Sequence, residues 1–259
     1  MSKLATNDQF LDFSDYGRTA GTHIAKTLKN TRFTPIHVTL FFGVLGLVAI
    51  YCIITNHHYL ACVFLILKSI IDAADGELAR IKKTPSYTGR YLDSLFDILL
   101  NFFILMAIFY ISNSSMLATL LAFICIELQG TLYNYYYVIL RSKCVGADKT
   151  SQIFENNTPK ALAGESQKWV TILFQIYSHT YGYFDKIIQK LDRSAPQIKA
   201  FPGWFMTLVS LYGLGFQLLL IGLMLVFQQT DYIIPFLIAY TLLIPVLITI
   251  RKVYINQKE

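Results

Sequence analysis

Six stretches of this chain, roughly 36–55, 59–79, 90–111, 116–140, 204–228 and 231–250, are apolar over the length a helix needs to cross a bilayer. No other feature restricts the fold as strongly. The chain is 54% hydrophobic with a mean hydropathy of +0.48, too apolar for a soluble domain of 259 residues. The expected class is therefore all-α integral membrane, with six transmembrane helices. The first stretch lacks a cationic leader followed by a small-residue cleavage site, so it reads as a retained span.

Lys and Arg set the expected orientation. The connections at 55–58, 112–115 and 228–231 contain neither residue. The N-terminal tail, the Arg80 to Arg90 connection, the stretch after Arg141 and the tail from Arg251 hold nearly all of them. Both termini are thus expected in the cytoplasm, with the net charge of +6 concentrated on one leaflet, where it attracts anionic headgroups and nucleotide phosphates. Nucleic acid is not an expected partner, because the basic residues are dispersed at helix ends and no recognition module is visible. Cys52, Cys62, Cys125 and Cys144 show no metal-ligand spacing and read as small apolar side chains.

Three regions follow. Residues 1–35 mix Phe10, Leu11, Phe13, Tyr16, Ile24 and Leu28 with Arg18, Lys26 and Lys29, which suggests an N-terminal amphipathic juxtamembrane helix on the cytoplasmic surface. Residues 36–141 and 203–251 form the six-span domain. Residues 142–202 are a cytoplasmic or interfacial insertion, long for a connection. Its aromatic middle runs from Gln167 to Leu191, and the apolar core of that middle, Trp169 to Tyr177, is too short to span.

Four aspartates stand on the second and third apolar stretches, in Asp72-Ala-Ala-Asp75-Gly76-Glu77-Leu-Ala79-Arg80 and Gly89-Arg90-Tyr-Leu-Asp93-Ser-Leu-Phe-Asp97. Carboxylates in spanning segments are costly and persist mainly where they bind ions or do chemistry. On helices, Asp72, Asp75, Gly76 and Ala79 share one face, as do Gly89, Asp93 and Asp97. The short basic connection between the two stretches makes the helices antiparallel neighbours, so the carboxylates converge. Four like charges at that range repel by several kcal/mol in a low dielectric, which calls for protonation or for cations among them. Ligands that are all oxygen favour Mg2+ or Mn2+, in one or two copies.

This string resembles, position for position, the D-x2-D-G-x2-A-R-x8-G-x3-D-x3-D signature of the CDP-alcohol phosphatidyltransferase family, integral membrane enzymes of phospholipid synthesis. The arrangement of apolar stretches is also similar outside the insertion. The resemblance implies a metal-dependent transferase (EC 2.7.8 type) that moves a substituted phosphoryl group from a CDP-linked donor to an alcohol, with release of CMP. It implies metal ligands at Asp72, Asp75, Asp93 and Asp97, with Asp97 as the general base beside Asp93. It implies that Asp72, Gly76, Ala79, Arg80 and Gly89 bind the nucleotide, and that the enzyme is a homodimer. Gly76, Ala79 and Gly89 are equally compatible with close helix packing.

The acceptor is less constrained. Arg141-Ser-Lys143-Cys-Val-Gly146 is similar in register to the ending found in members that use a phosphorylated alcohol, so Arg90 and Arg141 are candidate acceptor residues. Lys68 is a third candidate, although neutralising Asp72 or snorkelling is the simpler role for a lone cation inside a span. Glu77 could touch cytidine or face headgroups, and His37 reads as a solvated or capping residue. The preferred donor is CDP-diacylglycerol. The alternatives are CDP-choline or CDP-ethanolamine with a lipid alcohol, a cation or solute transporter using the carboxylates, and a catalytically silent scaffold of the same fold.

Overall fold

The computed structural model describes residues 4, 8–142, 155, 157–198 and 200–255, and among these there is no β-strand. The expected ending at Lys143 to Gly146, and Cys144 with it, lies outside the described residues.

The chain begins with a short helix, α1 (Arg18–Leu28), and continues through α2 (Pro35–Ile54), α3 (His58–Lys82), α4 (Tyr87–Ile111) and α5 (Met116–Ser142). Pro35 opens α2, where its fixed φ suits the first turn, and the Thr34 N–H donates to His37 Nδ1 at 3.1 Å, so His37 is a capping residue. Lys83, at φ 54° and ψ 41°, ends α3 in the left-handed conformation, and the Thr84 N–H returns to the Ala79 carbonyl at 3.0 Å. Ser86 then caps α4 by accepting from the Gly89 N–H at 2.8 Å. The reversal is therefore confined to a few residues, and α3 and α4 run antiparallel, each packed against α2.

The second half contains α6 (Gln167–Leu191), α7 (Gly203–Ser210), α8 (Leu214–Val226), α9 (Thr230–Tyr240) and α10 (Leu243–Ile250). By length and composition, α2, α4, α5 and the α9–α10 stretch Thr230–Val253 could each cross a membrane. The α7–α8 pair, bent by 47°, makes a fifth if it is one span. The bend accommodates the N-terminal segment: Phe13 N–H donates to Ser210 Oγ at 3.0 Å, and Ser14 sits against Gly213 and Gly215. The remaining expected span, α3, carries Lys68, Asp72, Asp75, Glu77 and Arg80 along its C-terminal half, and these charges keep it from counting as a span by composition.

One apolar core joins α2, α3, α4, α5, α8 and α9, with Phe42, Ile53, Leu65, Ile104, Ile108 and Leu225 among its buried members. Polar groups tie its helices where no water can serve them. Gln129 Nε2 donates to the Leu237 carbonyl at 2.9 Å and to Thr241 Oγ1 at 2.7 Å, and Gln217 Nε2 donates to Gln129 Oε1 at 2.9 Å. On the outer side of α3, α1 approaches backbone to backbone. A Cβ on Gly21 would lie 2.9 Å from the Ala74 nitrogen, so only glycine permits this contact behind the aspartates.

Candidate active site

The convergence expected of the four aspartates occurs for three of them. One carboxylate oxygen each from Asp72, Asp93 and Asp97 lies within 4.8 Å of the others. Asp75 stands outside this trio but lines the same cavity, and its Oδ2 accepts a hydrogen bond from Thr39 Oγ1 on α2. Asp93 Oδ1 is buried without a hydrogen-bond partner. An unsatisfied anionic oxygen inside a trio of carboxylates is costly by itself and becomes favourable beside a hard cation, so the donor set fits Mg2+ or Mn2+.

Lys68 enters from the far side. It is 1% exposed, its ammonium lies 4.9 Å from the centre of the Phe42 ring, and it is ion-paired with Asp97. Its direct partner is thus Asp97 rather than Asp72, and it is absent from the cavity wall. One positive charge embedded at the base of the trio offsets part of the repulsion that the sequence required to be relieved.

The cavity, about 670 Å³, suits a nucleotide diphosphate by size. Gly76, Ala79, Arg80, Gly89, Arg90 and Arg141 all line it. A Cβ on Gly76 would meet nothing closer than the Arg80 guanidinium at 3.5 Å, so Gly76 leaves open space rather than a packing contact with another helix. Arg80 pairs with Glu77 at 2.8 Å, and Glu77 is buried off the cavity wall.

Arg90 is engaged. Its guanidinium is ion-paired with Glu155 and stands 5.0 Å from the centre of the Tyr91 ring and 5.7 Å from that of Tyr177. Tyr91 also donates to Glu155 Oε2 at 3.1 Å. A second tie from the same region caps α4: Glu165 Oε1 accepts from the Thr88 N–H at 2.7 Å and from Ser86 Oγ at 2.8 Å, while Oε2 accepts from the Leu162 N–H at 3.1 Å. Burial alone would raise the Glu165 carboxyl, but these donors outweigh it and hold it below its ordinary range.

Several site residues escaped the sequence reading. Thr39 gave no signal, being one hydroxyl on an apolar helix. Glu127 did: it is a lone carboxylate within α5, 2% exposed, accepting from Asn101 Nδ2 at 2.9 Å and from the Tyr181 hydroxyl. The reasoning that singled out the aspartates applies to it equally. Glu155, Tyr177 and Asp185 reach the cavity from residues 142–202, and nothing in their spacing announces that.

The trio is an all-oxygen donor set that fits a divalent cation, held within a bundle of apolar helices and opening on a nucleotide-sized cavity. The chain belongs to the CDP-alcohol phosphatidyltransferase family, whose profile matches residues 32–242. It is therefore a member of a transferase family that moves phosphoryl groups from CDP-alcohols in phospholipid biosynthesis, and its apolar helices accord with a multi-pass membrane protein. Comparison with curated proteins gives no match.

Proposed function

We propose that the protein transfers a substituted phosphoryl group from CDP-diacylglycerol to a polar alcohol and releases CMP, with the active site facing the cytoplasm. The observation that carries this reading is the trio of Asp72, Asp93 and Asp97 beside the open flank of Gly76. The cytidine diphosphate would lie against Gly76 and Ala79 with Arg80 near its phosphates. Asp72, Asp75 and Asp93 would hold a divalent cation, Asp97 completing the set. When bound, Mg2+ or Mn2+ would neutralise the diphosphate and stabilise the leaving nucleotide.

Asp97 accepts the proton of the acceptor hydroxyl as its oxygen attacks the distal phosphorus. The new P–O bond forms to the acceptor, the bond from that phosphorus to the bridging oxygen breaks, and CMP leaves with the electron pair. Thr39 holds Asp75 in a single orientation, and Lys68 holds Asp97 and offsets its neighbours' charge. The six-span arrangement, with α3 as the span that carries the chemistry, follows from the same assignment. The concentration of Lys and Arg after residues 80 and 141 supports the cytoplasmic orientation.

The test is CMP release by purified protein in lipid-containing detergent, with Mg2+ or Mn2+ against a chelator, from CDP-diacylglycerol, CDP-choline and CDP-ethanolamine in parallel, each offered with mixed alcohol acceptors. Release from CDP-diacylglycerol that stops with chelator, and that Asp97→Asn abolishes while CMP still binds, is the expected result. Cation flux without CMP release would replace the reading with a transporter.

A further inference from the structure

We propose that α6 and the residues just before it form the subsite for the alcohol acceptor, and that this subsite takes a polar alcohol carrying no phosphate. The proposal rests on the phosphoryl-transfer reading above and concerns the wall of the cavity contributed by residues 142–202.

The wall is built and held in place. Phe174, Tyr177, Ser178, Tyr181, Gly182 and Asp185 line the cavity at the spacing of one helical face. The face is fixed at its start by Glu165 on the N-terminus of α4. At its end, Asp192 accepts from Arg251 Nε at 2.7 Å and from the Tyr136 hydroxyl at 2.8 Å, all three groups being buried. Between these ends, Tyr91 packs against Phe174 and Tyr177 at ring-centre distances of 5.8 Å and 5.1 Å. A helix clamped at both ends and along its length can present side chains to a ligand without first being ordered.

The chemistry at the centre of this face is that of hydroxyls and one carboxylate, with His179, Lys186 and Gln189 of the same helix also lining the cavity. Among the described residues, Asp185 has a single hydrogen-bond partner, the Tyr177 hydroxyl at a long 3.3 Å, which leaves most of its acceptor capacity directed at the cavity. Burial pushes the Asp185 carboxyl up to about 6, against the opposing bond from Tyr177, so at neutral pH it carries its charge. The groups facing it are Tyr177 on its own helix, Arg90 on α4 and Glu155.

A phosphate arriving beside Asp185 would meet that carboxylate and Glu155, and the guanidinium facing Asp185, Arg90, is already paired with Glu155; the other cations on the cavity wall are Arg80, Arg141 and Lys186. Lys186 stands at the exposed edge beside the Tyr183 ring. A hydroxyl or an ammonium group, by contrast, supplies the donors that Asp185 lacks, and the tyrosine faces suit either.

The experiment uses the full-length protein in lipid-containing detergent, with paired acceptors: glycerol against glycerol 3-phosphate, and inositol against inositol 1-phosphate, with ethanolamine and choline as cationic members. CMP affinity in the presence of Mn2+ is measured alongside. The unphosphorylated member of each pair is expected to support CMP release at least about tenfold better. Asp185→Asn is expected to raise the acceptor KM about tenfold, and Tyr177→Phe to raise it less, with CMP affinity unchanged. Preference for a phosphorylated acceptor would overturn the proposal and point to Arg141. So would turnover only with a diacylglycerol acceptor, or an acceptor KM unmoved by Tyr177→Phe. If wild-type protein neither binds CMP nor releases it, the phosphoryl-transfer reading fails and this inference falls with it. Retained metal-dependent CMP binding with unaltered acceptor preference in both variants defeats the acceptor subsite alone.

Discussion

The ammonium of Lys68, buried at the base of α3's polar stripe, is ion-paired with Asp97 on α4. The pair joins the two aspartate-bearing helices at the depth where their charges are most crowded. Removing one partner of a buried pair strands the other charge, here among three further carboxylates. Lys68→Met is expected to destabilise the protein by about 3 kcal/mol or more, read as a lowered thermal midpoint in detergent. Added Mn2+ should restore part of the loss, because a cation in the trio replaces some of the missing charge.

Thr39 contributes a single hydroxyl to Asp75, yet that bond orients a carboxylate beside the aspartate trio. Thr39→Val keeps the shape of the side chain and removes the donor. It should weaken Mn2+ binding about tenfold while leaving α2 folded, as measured by the metal concentration that half-saturates CMP release.

Two glycines on opposite sides of α3's environment should respond differently to the same substitution. Gly76 faces the cavity, so Gly76→Val is expected to abolish CMP binding with little change in thermal midpoint. Gly21 is pressed against the Ala74 backbone, so Gly21→Val forces α1 away from α3 at a cost of about 1–3 kcal/mol, with a correspondingly lower midpoint.

How far the sequence reaches is visible in α3 and α4. The helical period places their carboxylates on facing stripes, and a turn of four residues brings the two helices back side by side against α2, so the approach of the carboxylates was legible, although as a set of four; that Asp75 stands apart from the other three was not. The 47° bend between α7 and α8 was not legible either, because what packs into the break, Phe13 and Ser14, comes from a segment some two hundred residues earlier. α6 was legible as an aromatic stretch suited to the membrane interface, and neither its helix nor its place as a cavity wall was: only the contacts with Tyr91 and Arg90 reveal the latter. Glu165 looks like any loop acid until its distance to the α4 N-terminus is known.

That acid makes a pH-dependent tie. Because donors hold the Glu165 carboxyl below its ordinary range, its contribution is present above the usual carboxylate pKa and is lost as pH falls through the lowered value. Hydrogen exchange in α6 should therefore be slow at neutral pH and accelerate in acid before the rest of the bundle opens. Glu165→Gln should show the faster exchange already at neutral pH, with a loss of about 1 kcal/mol in local protection.

The trio stands on α3 and α4, which one tight turn joins, whereas the opposite side of the cavity comes from a stretch of chain entering much later and fastened by a handful of side chains. On the proposed assignment, reactivity and choice of acceptor are thereby inscribed on separate pieces of sequence. Such a division lets the second be rewritten, by drift or by design, while the first stays as it is.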